Sequence, residues 1–134
     1  MHIPKNKQIK IRLSSRDVIH SFSLPEMRVK QDAIPGMEIP IYFTAIMSSD
    51  EYLDYLKEND PIRYNNKLDK NEETYKKFNE SAKDLYFRGY QISCAQLCGN
   101  SHSVMKGYMT VHEQNDYDSW LDSMKPAAEE EEEW

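Results

Sequence analysis

The chain has 134 residues, which is enough for one compact domain with its own hydrophobic core. Its formal net charge is -6, but the run Glu129–Glu133 supplies five of the negative charges, so the remainder lacks the basic face that nucleic-acid binding requires. The longest largely apolar stretch, Ile39–Met47, has nine residues, whereas a membrane-spanning helix needs about 20. We therefore expect no nucleic-acid partner and no membrane span in this chain.

The first part of the chain alternates polar and apolar residues, which is typical of strands with one buried face. Lys7–Leu13 predicts a first strand, and Val18–Leu24 predicts a second extended segment. Asp32–Gly36 contains the proline and glycine of a turn. Met37–Met47 then predicts a further strand, and Pro40 confines its opening to the edge of a sheet.

Residues 47–85 change to a charged composition with helical spacing of the apolar residues. Ser49 is the expected cap of a helix, with Pro61 beyond its end and one apolar side formed by Tyr52, Leu53 and Leu56. A polar, turn-rich stretch should follow, and then a second helix over residues 71–87. We expect this region to be a partly helical insertion that lies outside the strand core.

Strand-like alternation returns after the insertion. Tyr90–Cys94 and Met105–His112 predict two more strands, and Asp116–Met124 predicts a short C-terminal helix anchored by Tyr117, Trp120 and Leu121. Residues 127–134 carry the acidic run without apolar periodicity, which is typical of a disordered tail. The sequence thus predicts one mainly β domain over residues 1–126, a β-sandwich or barrel with a helical insertion.

One short segment concentrates metal-binding side chains. Cys94, Cys98, His102 and Met105 follow the spacing C-x3-C-x3-H-x2-M. Thiolate and thioether are soft ligands and imidazole also suits copper, whereas a thioether binds zinc poorly. Taken singly, each residue has a commoner explanation as a buried or surface side chain, and the two cysteines could form a disulfide. The ordered combination predicts a copper site.

A further candidate ligand, His20, lies far upstream. Val18, Ile19 and Phe22 flank it, so we expect it to be partly buried. By itself such a histidine is more often a hydrogen-bonded core residue. Copper sites of the cupredoxin type, however, take one histidine from an early strand and the rest from a late loop, which favours His20 as a ligand. The remaining histidines, His2 and His112, lack this context and are expected at the surface.

These segments resemble subunit II of the haem-copper cytochrome c oxidases. The resemblance rests on Asp17–Phe22, Lys30–Gly36 and Cys94–Met105, and it covers roughly residues 7–46 and 86–122. It implies a cupredoxin-like Greek-key fold with a dinuclear CuA centre of two copper ions. It also implies a place on the extracytoplasmic side of a respiratory membrane, either the periplasmic face or the mitochondrial intermembrane space.

The resemblance implies a ligand set and partners as well. By this resemblance, the Cys94 and Cys98 thiolates would bridge both coppers. His20 and the Met105 thioether would complete the first copper. His102 and the backbone carbonyl of Gln96 would complete the second. Cytochrome c would donate electrons one at a time, and subunit I would accept them. The isolated chain would then be an electron carrier of an oxidoreductase complex. Asp116 and Asp118 are candidates for an acidic docking rim.

One departure from the family and two alternatives bear on this prediction. Gln96 stands where the family commonly has a glutamate that can help to hold magnesium, so the neutral side chain argues against a magnesium site. The CuA domain of a nitrous oxide reductase uses similar ligands in the same fold. A structural zinc module without a redox role would use Cys94, Cys98, His102 and His20.

Overall fold

The computed structural model describes residues 1–67, 90–94 and 106–124. Its strands and helices follow one another in the order β1 (His2–Pro4), β2 (Gln8–Leu13), β3 (His20–Leu24), the 3-10 turn η1 (Pro25–Met27), β4 (Val29–Ala33), β5 (Ile39–Thr44), α1 (Ser49–Asn59), α2 (described over 61–67), β6 (Tyr90–Cys94), β7 (Lys106–His112) and α3 (Gln114–Ser123). The helix expected over 71–87 and the tail at 127–134 lie outside the described residues.

Within these ranges the strands form two sheets. A five-stranded sheet has the order β1-β7-β6-β3-β4, and β2 pairs with β5 in a two-stranded sheet. The β1–β7 pair is parallel and the other pairs are antiparallel. The mainly β prediction with a helical insertion and a short C-terminal helix is confirmed.

The two-stranded sheet shows the alternation that the sequence predicts. Ile41 and Phe43 of β5 are buried, and the apolar residues of β2 pack against the same core. On the outer face, the Lys10 ammonium lies 5.6 Å from the centre of the Tyr42 ring. Pro40 pairs with Arg12 only, which fits its predicted edge position in the part of the sheet that is described.

Helix α1 differs from the prediction in its cap. Ser48, not Ser49, is the cap, since its hydroxyl accepts the Glu51 backbone N–H at 3.2 Å while its own N–H donates to the Glu51 carboxylate at 2.9 Å. The Ser49 hydroxyl is buried and accepts the backbone N–H of Val111 at 2.9 Å. Either serine is a good cap residue, and the bond from β7 decides between them.

The prediction that the helices lie outside the strand core is wrong for α1. Tyr52 and Leu56 are buried members of the main hydrophobic cluster, together with strand residues such as Met109. An amphipathic helix needs an apolar surface for its apolar side, and the sheet supplies one. The stretch after Asp60 was expected to be turn-rich, but residues 61–67 are helical. Pro61 stands at the first position of that helix, where proline is well tolerated.

Helix α3 packs through a group of aromatic rings that includes two histidines expected at the surface. His2 and His112 are partly buried rather than at the surface, and their Nδ1 and Nε2 atoms lie 2.8 Å apart. The Trp120 ring stacks on His2 with the ring centres 4.3 Å apart, so Trp120 anchors the helix as predicted. Leu121, expected to be a second anchor, is exposed.

Two strands were not predicted from the sequence, β1 because it is short and β4 because it is polar. β1 has three residues, too few to show alternation, and β4 has the polar sequence Val-Lys-Gln-Asp-Ala. Both form because a neighbouring strand pairs with them, β7 in one case and β3 in the other. No helix in the described parts of the chain is long and apolar enough to cross a membrane.

Candidate metal centre

Strands β3 and β6 bring two of the predicted ligands together. They pair antiparallel, with Phe22 opposite Cys94 and Ser23 opposite Ser93. Residues directly opposite in an antiparallel pair project to the same face, and so do residues two apart along one strand. Cys94 and His20 therefore share a face as diagonal neighbours, although they are distant in sequence. The backbone N–H of Ser21 also approaches the Cys94 sulfur, at 3.5 Å.

The His20 ring is held by a carboxylate. Its Nε2 atom lies 2.8 Å from Asp17 Oδ1, and the side chain is 22% exposed. The hydrogen bond to Asp17, and after it the Cys94 sulfur, raise the pKa of His20 above its ordinary value. In turn the His20 ring is the main cause that lowers the pKa of Asp17. The Ser15 hydroxyl, 3.2 Å from the same oxygen, steadies the Asp17 carboxylate.

The other ring nitrogen of His20 is buried. This atom, Nδ1, has no hydrogen-bond partner among the residues that the structure describes. A buried polar atom without a partner costs about 1–3 kcal/mol, and native proteins rarely leave one. The Ser21 hydroxyl is likewise buried without a hydrogen-bond partner among the described residues, but alternation along β3 places it on the opposite face of the sheet.

This arrangement fits a metal such as copper. Metal-binding histidines usually donate their second ring N–H to a carboxylate or carbonyl, which fixes the ring and its tautomer. With Asp17 as acceptor, Nε2 carries the proton and Nδ1 presents a lone pair on the side of the Cys94 sulfur. An imidazole nitrogen beside a thiolate sulfur is a donor pair that copper accepts, and zinc accepts it as well.

Asp17 was not predicted to be a functional residue. It belongs to the motif Asp17–Phe22, but no role was assigned to it. The signal was present, because Asp17 stands three residues before His20 in a polar turn next to a strand. A carboxylate at that distance from a candidate ligand is a natural hydrogen-bond partner for its ring.

The other four predicted ligands are Gln96, Cys98, His102 and Met105, and all lie outside the described residues. Cys94 and Lys106 border this segment, and Ser93 pairs with Lys106 across β6 and β7. The end of β6 and the start of β7 therefore lie at the same end of the sheet as His20. Over residues 1–67, 90–94 and 106–124, no group of three or more His, Cys, Asp or Glu side chains could hold a metal by itself.

The acidic rim expected at Asp116 and Asp118 is not near this end of the sheet. Both residues are in α3, which follows the far end of β7 at His112. β7 runs from Lys106 to His112, and the six steps between its seven residues, at about 3.3 Å each, separate the two ends by about 20 Å. Val18 and Ile19, which directly precede His20 in the sequence, are apolar and exposed.

In sequence, the chain is similar to subunit II of cytochrome c oxidases from several bacteria. The family described as "Cytochrome C oxidase subunit II, periplasmic domain" matches residues 1–55. Cytochrome c oxidase subunit 2 of Thermostichus vulcanus is 28% identical over 120 residues, which is 90% of this chain and 24% of that protein. The alternative cytochrome c oxidase subunit 2 of Bradyrhizobium diazoefficiens is 27% identical over 128 residues, 96% of this chain and 32% of that protein. The chain thus spans a quarter to a third of the length of these relatives.

Solved structures agree with the fold. The periplasmic domain of subunit II of cytochrome oxidase from Bradyrhizobium japonicum matches with a TM-score of 0.60 and 25% identity, over 92% of this chain and 61% of that one. A mixed disulfide between a thioredoxin-like protein and subunit II of cytochrome c oxidase matches with a TM-score of 0.55 and 24% identity, over 92% and 59%. These likenesses confirm the predicted cupredoxin-like fold class.

Proposed function

Since the chain is related to subunit II of cytochrome c oxidase, we propose that it is the electron-entry domain of such a subunit. In this role it takes one electron at a time from cytochrome c onto a dinuclear CuA centre and passes it to haem in subunit I. The observation that carries the proposal is the His20 ring, which Asp17 holds by one nitrogen while the other is buried on the face of Cys94.

The proposed centre uses the six ligands that the family resemblance implies: His20, Cys94, Gln96 through its carbonyl, Cys98, His102 and Met105. When bound, the copper pair would exchange single electrons with only small changes in bond length. The protein contributes a rigid support, because His20 and Cys94 project from paired strands rather than from independent loops. Asp17 supplies the orientation of one ligand. The neutral Gln96 argues against an accompanying magnesium ion.

The matching family is described as a periplasmic domain, which supports a place for this domain on the extracytoplasmic side of a respiratory membrane. The partners are cytochrome c as donor and subunit I as acceptor. In this proposal the chain acts as an electron carrier of an oxidoreductase complex. The relatives named above are oxidase subunits, which favours this function over that of a nitrous oxide reductase domain.

A structural zinc site remains the second candidate, because His20 and Cys94 suit zinc as well. Metal analysis after reconstitution with copper separates the two. The copper proposal expects two coppers per chain and an electron spin resonance signal from one spin shared between them. One copper with a localised spin would contradict the dinuclear centre, and retention of zinc without copper uptake would contradict the redox function.

Two histidine variants sharpen this experiment. His20→Ala should lower the copper content, whereas His112→Asn should leave it unchanged because His112 lies at the other end of β7. Equal losses in both variants would mean that the histidines act through folding and not as ligands.

A further inference from the structure

Glu26 is a charged residue held in a nearly buried place at the end of β3. Its side chain is 11% exposed. The backbone N–H of Gln91 donates to both carboxylate oxygens, at 3.1 and 3.2 Å, and the Lys67 ammonium lies 3.2 Å from Oε1. The carboxylate thus joins η1, the start of β6 and helix α2. Charge-assisted hydrogen bonds of this kind are about twice as strong as neutral ones.

These bonds occupy the position where the β3–β6 ladder stops. The ladder has two residue pairs, Phe22 with Cys94 and Ser23 with Ser93. Pro25 then begins the 3-10 turn and has no N–H, so it cannot donate a further ladder hydrogen bond to β6. The Glu26 carboxylate accepts the Gln91 N–H in place of a backbone carbonyl. It extends the pairing by a side chain where the main chain no longer can.

The first residues of β6 are also held from the helical side. The Tyr52 ring of α1 stacks on Tyr90 with the ring centres 4.7 Å apart, and the Tyr90 hydroxyl donates to the Met47 carbonyl at 3.0 Å. The Lys67 ammonium that pairs with Glu26 lies 5.4 Å from the centre of the Tyr52 ring. The contacts form a closed ring from Glu26 through Lys67, Tyr52 and Tyr90 back to Gln91.

We propose that Glu26 is a positioning residue that fixes the register of β6 against β3, and so the place of Cys94 beside His20. A slip of two residues along β6 would move Cys94 by about 7 Å, and a slip of one would turn it to the other face. A two-pair ladder specifies register weakly, and the ring of contacts supplies the missing restraint. The helical insertion thereby takes part in building the metal centre. The copper part of this inference rests on the proposed function; the register part does not.

The register is tested on the metal-free protein with Glu26→Gln. Glutamine keeps the shape, but it loses the charge and presents an NH2 group to one of the donors. Hydrogen exchange at the Gln91 amide should become about tenfold faster or more. Exchange at Ile11, in the other sheet, should not change. Lys67→Met should act in the same direction by a smaller factor, and it serves as the test if Glu26→Gln does not fold.

Glu51→Gln is the matched control. Glu51 is also a carboxylate of the helical region, bound to Lys5 and to the cap of α1, and it makes no hydrogen bond to the described residues of β6. This variant should lower overall stability without a selective effect at Gln91. If Glu26→Gln raises exchange uniformly across both sheets, as loss of global stability would, the positioning role is overturned. The same holds if exchange at Gln91 does not change.

The second readout is the copper centre itself. In reconstituted Glu26→Gln, the spin-resonance hyperfine pattern or the midpoint potential should shift, whereas Glu51→Gln should keep the parent values. Glu26→Asp, which keeps the carboxylate, should shift these values less than Glu26→Gln does. Unchanged copper properties in Glu26→Gln would overturn the link between register and metal. If the parent protein binds no copper pair, the proposed function fails, whereas the exchange experiment still decides whether Glu26 fixes the register.

Discussion

The Nε2 atom of His20 and the Oδ1 atom of Asp17 lie 2.8 Å apart, and this contact decides which ring nitrogen is left for a metal. Because the carboxylate accepts the Nε2 proton, the buried Nδ1 atom is the one with a lone pair. The same contact favours the protonated ring and raises the pKa of His20. Asp17 thus orients the His20 ring for a metal. At the same time it makes the ring bind a proton more tightly, and that proton competes with the metal.

Replacing Asp17 by asparagine should weaken copper binding by about 10- to 100-fold, the usual effect of removing the group that orients a metal-binding histidine. The pKa of His20 should fall towards its ordinary value, since the first cause of its increase is removed. Competition titration with a copper chelator measures the affinity, and NMR titration of the metal-free protein measures the pKa. Asp116→Asn, at the far end of β7, is the control. If both variants bind copper as the parent does, Asp17 has no part in the centre.

The proposed ligands differ in what their loss should do. Cys94→Ser should abolish the shared-spin signal, because a hydroxyl is a hard, poorly ionised donor and cannot bridge two coppers as a thiolate does. Met105→Leu conserves shape, so copper should still bind and chiefly the potential should move. Gln96→Glu should change the copper signal little, since only the backbone carbonyl is proposed to bind. Spin resonance with copper analysis tests the series, and a shared-spin signal that survives in Cys94→Ser would refute the bridge.

Helix α1 should be essential for stability, because its apolar side belongs to the main core. Leu56 is 2% exposed, and Leu56→Ala should lower the free energy of unfolding by about 2–5 kcal/mol. Tyr55→Ala, on the exposed side of the same helix, should change it by no more than about 0.5 kcal/mol. Urea denaturation followed by circular dichroism gives both values. Similar small losses in the two variants would show that α1 is an appendage of the fold.

The pair His2 and His112 should make the domain sensitive to acid. Burial is the main cause that lowers the pKa of both rings, and for His112 the charges of Asp116 and Asp50 partly oppose it. A lowered pKa means that the folded state prefers the neutral ring. The stabilisation is therefore complete above the ordinary value of 6.5 and is lost as the pH falls below it towards the folded-state pKa.

The melting temperature of the metal-free protein should consequently decrease between about pH 7 and pH 5. His112→Asn should be less stable at pH 7 and should show a smaller decrease over the same interval. The contribution of His20 to stability changes with pH in the opposite direction, because its pKa is raised and its stabilisation is present at low pH. The double variant His2→Asn with His112→Asn therefore isolates the effect of the pair. A slope that is the same in the parent and in this double variant would assign the acid sensitivity to other groups.

The sequence predicted those features that depend on local pattern. Residues 90–94 were placed in a strand with the bounds that the structure shows. Strand β2 was predicted from alternation, and β5 from its content of β-forming residues. Asp17 and Glu26 had no role assigned, because their roles depend on partners. Asp17 acts through His20, a few residues away, whereas Glu26 meets Gln91 across 65 residues. The stacking of His2 on Trp120 likewise requires β1 and α3 to meet, which no pattern within either segment shows.

The pairing of Ser93 with Lys106 has a consequence for how such a domain changes during evolution. The segment 95–105 is joined to two strands whose spacing is set by the sheet, and it carries four of the six proposed ligands. Only His20 and Cys94 come from the described strands, and those strands pair directly with one another. A cassette of this kind can be exchanged by insertion, deletion or substitution while the sheet stays intact. Metal preference and redox potential can therefore diverge between related domains without a change of fold.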